Sequence, residues 1–128
     1  NGVIVSSEIT RGLDIFELKP SAFISQNEID AAKTVHFDYY NTQGQQKLVW
    51  PASFALARAY VDQLERSNGL SSARISSIRQ SLAAAESSGN RQSALTTLAS
   101  AIERDAAGSS DAAKVRALTD AVRRLAGS

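Results

Sequence analysis

The side chains that could do chemistry in this chain are few, and their spacing decides most cases. The only histidine, His36, stands two residues from Asp38, and an extended segment places i and i+2 side chains on one face. That is the start of an acid-base pair, and serines are plentiful enough to complete a triad. None of them sits in a G-x-S-x-G turn, which is what exposes a nucleophile, so the pair reads more simply as a surface hydrogen bond. The nearest carboxylates, Glu28 with Asp30 and Glu103 with Asp105, could serve glycoside hydrolysis or calcium binding. Residues i and i+2 do not share a helix face, and no D-x-D-x-D-G loop occurs. With no cysteine and one histidine, thiolate nucleophiles, disulfides and the common zinc sites are excluded. Seven scattered glycines form no phosphate-cradling loop. The expectation is a protein that is not an enzyme, with no catalytic residue, no metal and no cofactor.

Charge narrows the partners. Fourteen Lys and Arg against thirteen Asp and Glu leave a net charge of +1, which makes no electrostatic footprint for nucleic acid or an anionic membrane. Arg74, Arg79, Arg91, Arg104, Arg116, Arg123 and Arg124 alternate with acids and apolar positions instead of clustering beside exposed aromatics. No nucleic-acid partner is expected. Asp62, Glu65 and Arg66 read as a solvated helix face. One constellation stays open for binding: Phe37, Tyr39, Tyr40 and Trp50, aromatic residues in an irregular segment whose rings could stack on a sugar or a peptide. The simpler reading is that these rings cover the helices beside them.

The elements that must position these residues divide the chain of 128 residues near Trp50 and Pro51. Residues 1–50 hold most of the aromatic and β-branched residues, whereas 51–128 are rich in Ala and Ser and carry nine Arg but one Lys. In the first part Val3-Ile4-Val5 and the alternating Leu13-Asp14-Ile15-Phe16-Glu17-Leu18 predict two strands, with Gly12 supplying the turn. Pro20 ends the hairpin, and Ser25-Gln26-Asn27-Glu28 fits a capping box opening a short helix to about Thr34. An irregular arm follows from His36 to Trp50, turning at Asn41-Thr42-Gln43-Gly44.

From Pro51, placed at the first helical position, Phe54, Ala57, Val61 and Leu64 keep the helical period until Asn68-Gly69, with Leu56 and Tyr60 widening the stripe. Ser72, Asn90 and Ser110 are the predicted caps of three more helices. Their core positions are Ile75, Ile78 and Leu82, then Leu95, Leu98 and Ile102, then Val115, Leu118, Val122 and Leu125. Turns of two to four residues between helices of about fifteen require an up-and-down arrangement. Ala83, Ala84, Ala94 and Ala101 would pad the two middle helices. The fold class is therefore α+β, mostly α: an N-terminal hairpin and an irregular arm packed on a four-helix bundle. No run approaches the ~20 apolar residues of a membrane span, and Asn1 to Thr10 lacks the regions of a signal peptide.

The hairpin needs a third strand that the chain does not offer. It is expected either to join strands from an upstream segment of the same protein or another chain, or to be held by packing on the helices.

The stretch Ser6-Ser7-Glu8-Ile9-Thr10-Arg11-Gly12-Leu13-Asp14, followed by Leu18-Lys19-Pro20-Ser21, resembles the close of the repeat tract in bacterial proteins of the LVIVD-repeat family. Ser25-Gln26-Asn27-Glu28-Ile29-Asp30-Ala31-Ala32, Trp50-Pro51-Ala52-Ser53-Phe54 and Arg58-Ala59-Tyr60-Val61-Asp62-Gln63-Leu64 resemble the helical tail after that tract. The likeness covers about residues 3 to 68, and the LVIVD motif itself does not occur. The resemblance implies a β-propeller upstream, a secreted or cell-surface location, and a noncatalytic structural or interaction module at the C-terminus, with Asn1 marking a cut within a longer protein. The other readings kept are a carbohydrate- or peptide-binding module using the aromatic arm and an accessory domain of an extracellular hydrolase.

Overall fold

Two strands come first. In the computed structural model, which describes residues 3–39, 41–45 and 47–128, β1 (Val3–Glu8) and β2 (Gly12–Glu17) pair antiparallel, with Ile4 opposite Phe16 and Val5 opposite Ile15. Gly12 closes the turn at φ +94°, a conformation a Cβ would resist. The Glu8 carboxylate ties the loop, accepting from the Thr10 hydroxyl at 2.6 Å and from the Arg11 backbone at 3.1 Å. These bonds hold the Glu8 carboxyl below the usual carboxylate range.

Helix α1 (Gln26–Lys33) opens with the complete capping box: Ser25 Oγ accepts from the Glu28 N–H, and Glu28 accepts from the Ser25 N–H at 2.7 Å. In the arm, a single 3₁₀ turn over Thr42–Gly44 is capped by the Asn41 side chain, where the sequence puts its turn.

Four longer helices follow: α2 (Phe54–Arg66), α3 (Ser72–Ser87), α4 (Arg91–Asp105) and α5 (Ala112–Ala126). Each lies beside its sequence neighbours, and α5 closes the ring on α2, the order of an up-and-down bundle. The large apolar residues expected in the core are buried, except Phe54 and Tyr60, which pack half-buried at its margin; Leu64, Ile75, Ile78, Leu82, Leu95, Ile102 and Leu118 are the largest of the buried ones. The alanines follow expectation in part. Ala83 and Ala84 are exposed, Ala94 packs half-buried against the core and Ala101 is half-buried, while Ala85 and Ala99 are the fully buried alanines of α3 and α4.

Three of the four helix starts also differ. Pro51 is not helical; Ser53 is the N-cap of α2, accepting from the Leu56 N–H at 3.1 Å, so the helix begins three residues later. Ser71, not Ser72, caps α3. Asn90 occupies the cap position of α4 but makes no side-chain cap bond. Asp111, not Ser110, caps α5, because the Ser110 hydroxyl donates instead to the Asn68 carbonyl at 3.1 Å. The α2–α3 and α4–α5 connections, residues 67–71 and 106–111, are longer than expected since they pack on each other at one end of the bundle.

At that end α2 stops in a Schellman motif. Asn68 takes φ 52°, and the Gly69 and Asn68 N–H groups donate to the Leu64 and Glu65 carbonyls at 2.8 and 3.1 Å. A Cβ on Gly69 would lie 2.6 Å from Leu64 Cδ2 and 3.2 Å from Asp111 Cβ. Leu64 is fully buried and cannot swing away, so Gly69→Ala is expected to destabilise the protein by about 1–3 kcal/mol in urea unfolding. A midpoint equal to wild type would show that the two loops are not packed as described.

Candidate functional site

The hairpin carries apolar residues on both faces and covers neither. Val3, Val5, Leu13 and Ile15 on one face, and Ile4 and Phe16 on the other, are between 50% and 65% exposed. Among the described residues the sheet has two strands, so each strand keeps one edge without a hydrogen-bonded neighbour there. Only its base meets a helix: Val3, Ile4 and Leu18 line a shallow cleft of about 290 Å³ with Ile29, Ala32, Lys33 and Val35. The two edges differ in chemistry. β1 has no charge from Val3 to Ser7, whereas β2 carries Asp14 and Glu17 between Arg11 and Lys19. An edge without charge, proline or cover is the one prepared for pairing.

Of the aromatic residues considered for binding, Trp50 lines a cleft to which Phe37 and Tyr39 do not contribute. Phe37 and Tyr39 are exposed, at 41% and 78%, and Tyr40 lies outside the described residues. Trp50 is half-buried against Leu56, Ala59 and Tyr60, and its carbonyl accepts from Arg124 at 3.0 Å. What covers α2 is mainly the Ile29 and Ala31 face of α1, so the expectation that aromatic rings blanket the bundle holds only for Trp50. His36 and Asp38 are exposed and 3.1 Å apart, a surface pair as expected.

Around Trp50 the structure brings together a cleft that sequence reasoning missed. It has a volume of about 430 Å³ between α1, α2 and the first turn of α5. Ala31, Leu56 and Ala59 form a buried apolar floor, with Trp50, Tyr60, Gln63, Glu28 and Lys114 around it. The signal was present as Ala31, Ala32 and Ala59, small residues that leave room where helices meet.

Charged side chains turn out to be joints between helices. Glu28 of α1 accepts both terminal nitrogens of Arg66 on α2, at 2.8 and 3.0 Å, and the Gln63 amide at 2.8 Å. The Arg66 hydrogen bonds hold the Glu28 carboxyl down at about 2. Asn27 donates to Asp62 at 2.8 Å, and Arg79 of α3 reaches both Asp62 and Glu65 at 2.7 Å. Burial pushes the Asp62 carboxyl up, but bonds from Asn27, Ser25 and Arg79 outweigh it and the net shift is downward. Asp62 is thus no solvated charge: its side chain is 12% exposed. Arg74 joins Asp105 at 2.7 Å, Arg123 joins Glu103, and Arg58 joins Glu86. Glu103 and Asp105 therefore turn to α5 and α3 and do not face each other. At Arg66 with Glu28 and Arg79 with Glu65 the guanidinium's planar fork spans the carboxylate with two bonds, which a lysine could not do.

Among the described residues no three His, Asp or Glu side chains gather closely enough to hold a metal ion, and no helix is long and apolar enough to cross a membrane. No protein-family model, curated protein or solved structure matches the chain.

Proposed function

We propose that the chain is the noncatalytic C-terminal module of a secreted or cell-surface protein, and that its hairpin completes a β-sheet supplied by an upstream segment of that protein. One observation carries this reading: a two-stranded ribbon with apolar residues on both faces, each of them at least half exposed, standing on a bundle that buries its own core thoroughly. Two strands alone are marginal in water, and exposed apolar area of this kind marks an interaction surface. The bundle supplies the rigid end that such a closing hairpin needs. The likeness of residues 3 to 68 to the end of an LVIVD-repeat tract supports the same partner and an extracytoplasmic setting.

The reading frame around the chain tests this. Strand-forming repeats directly before Asn1, behind an export signal, are the expected result. A preceding segment with no strand pattern, or one with only helical periodicity, would overturn the proposal.

A further inference from the structure

We propose that the cleft between α1, α2 and the start of α5 is a binding site for a small organic carboxylate with a compact apolar body, such as a single aromatic ring. This is independent of the hairpin's partner. The floor of Ala31, Leu56 and Ala59 is buried and apolar, and Trp50 and Tyr60 add two ring surfaces. A volume of about 430 Å³ falls at the low end of small-ligand sites, room for one ring and not for an extended peptide.

The polar groups around the cleft define the head of the ligand. Among the described residues, the Lys114 ammonium, the Tyr60 hydroxyl and the Trp50 indole N–H have no hydrogen-bond or ion-pair partner in the protein. All three are reached by solvent and can donate, so an acceptor-rich group entering the cleft finds them open. Two charged side chains line the cleft. Glu28 is fully engaged, its two oxygens taken by Ser25, Gln63 and Arg66, so Lys114 alone is left without a counter-charge.

Lys114 is also misplaced by the rules of helix electrostatics. It stands in the first turn of α5, where the helix dipole disfavours a cation, and the acid at that helix end, Asp111, uses its carboxylate to cap the Lys114 backbone N–H at 3.1 Å. An anionic head in the cleft would relieve both the lysine and the helix end. Apolar floor, aromatic walls and an unmatched cation select a carboxylate over a neutral ring or a sugar.

Trp50 is the only tryptophan, so its indole N–H resonance reports on this cleft alone. The probes are phenylacetate, phenylacetamide and acetate, titrated into the 128-residue chain. Phenylacetate is expected to shift the Trp50 resonance saturably, with a dissociation constant of about 1 mM or tighter. Phenylacetamide, lacking the charge, and acetate, lacking the ring, should each bind at least about tenfold more weakly. Lys114→Gln should bring phenylacetate down to the affinity of its amide, while Lys114→Arg keeps the binding, both with the wild-type thermal midpoint. The proposal is overturned by a flat titration up to about 10 mM. Equal affinities for acid and amide, or a Lys114→Gln protein that binds as wild type, would overturn it as well. None of these outcomes bears on whether the hairpin joins an upstream sheet.

Discussion

Leu118→Ala is expected to cost about 3–5 kcal/mol of unfolding free energy, the largest effect of any single truncation considered. Leu118 lies on α5 with no exposed surface, in the cluster that includes Val61, Ile78, Leu95 and Val122, so all four bundle helices contribute to its surroundings. Removing three carbons loses their transfer from water and leaves a cavity that rigid helices close only in part. For a chain of this size such a loss is a large share of the total stability. Urea unfolding followed by far-ultraviolet circular dichroism measures it. A loss below about 1 kcal/mol would mean that α5 does not pack through this stripe.

Glu28→Gln is expected to cost about 2 kcal/mol at neutral pH, and this loss should disappear in acid. Glutamine keeps the shape and its oxygen can still reach the Ser25 N–H, so the capping box survives, while its amide nitrogen replaces the oxygen that accepts from Gln63 and Arg66, so charge and acceptor are removed together. In the folded protein the carboxyl sits at about 2, against 4.5 for the free group, with the Arg66 hydrogen bonds as the leading cause. A folded value below the unfolded one means that the contribution is complete above about pH 5. It is lost as the pH falls from 4.5 towards 2, where both states take up the proton. Arg66 is 37% exposed, which is why the expected cost stays below the full value of the shift. Wild-type and Glu28→Gln unfolding free energies should therefore converge between pH 4.5 and 2. A gap that stays constant across that range would place the effect of the substitution in packing and not in the ion pair.

How far the sequence discloses this molecule depends on the range of the interaction. The hairpin, the capping box at Ser25 and Glu28, the turn at Asn41 and every large core residue of the four bundle helices follow from periodicities and signals a few residues long. Helix starts shift because two candidate caps stand side by side, as at Ser71-Ser72 and Ser110-Asp111, and the choice falls to a tertiary contact such as Ser110 with the Asn68 carbonyl. Pro51 misleads for a related reason: Ser53, two residues on, offers the Leu56 N–H a hydroxyl that the proline cannot replace. The joints between helices are invisible locally, since Glu28 and Arg66, or Asp62 and Arg79, are brought together only by the fold. The excess of Arg over Lys is the available hint. Likewise, the Trp50 cleft rests on alanines that local patterning treats as padding, and Phe37 and Tyr39 draw attention through their ring type although they lie outside it.

The central claim is that the hairpin depends on strands from elsewhere, and amide hydrogen exchange at Ile4 and Ile15 tests it most directly. The chain of residues 1–128 is compared, at a dilution where it is a proven monomer, with the chain extended by the upstream segment that the proposal requires. In the chain alone these two amides should exchange nearly as fast as in an unstructured peptide, while the amides of Ile78 and Leu118 in the bundle stay protected. In the extended chain Ile4 and Ile15 should slow to the rate of the surrounding sheet. Strong protection of either amide in the isolated monomer would contradict the account: Ile4 and Ile15 belong to adjacent pairs of the ladder, which alternate between bonded and unbonded, so only one of the two points into the hairpin, and its protection would show that two strands suffice.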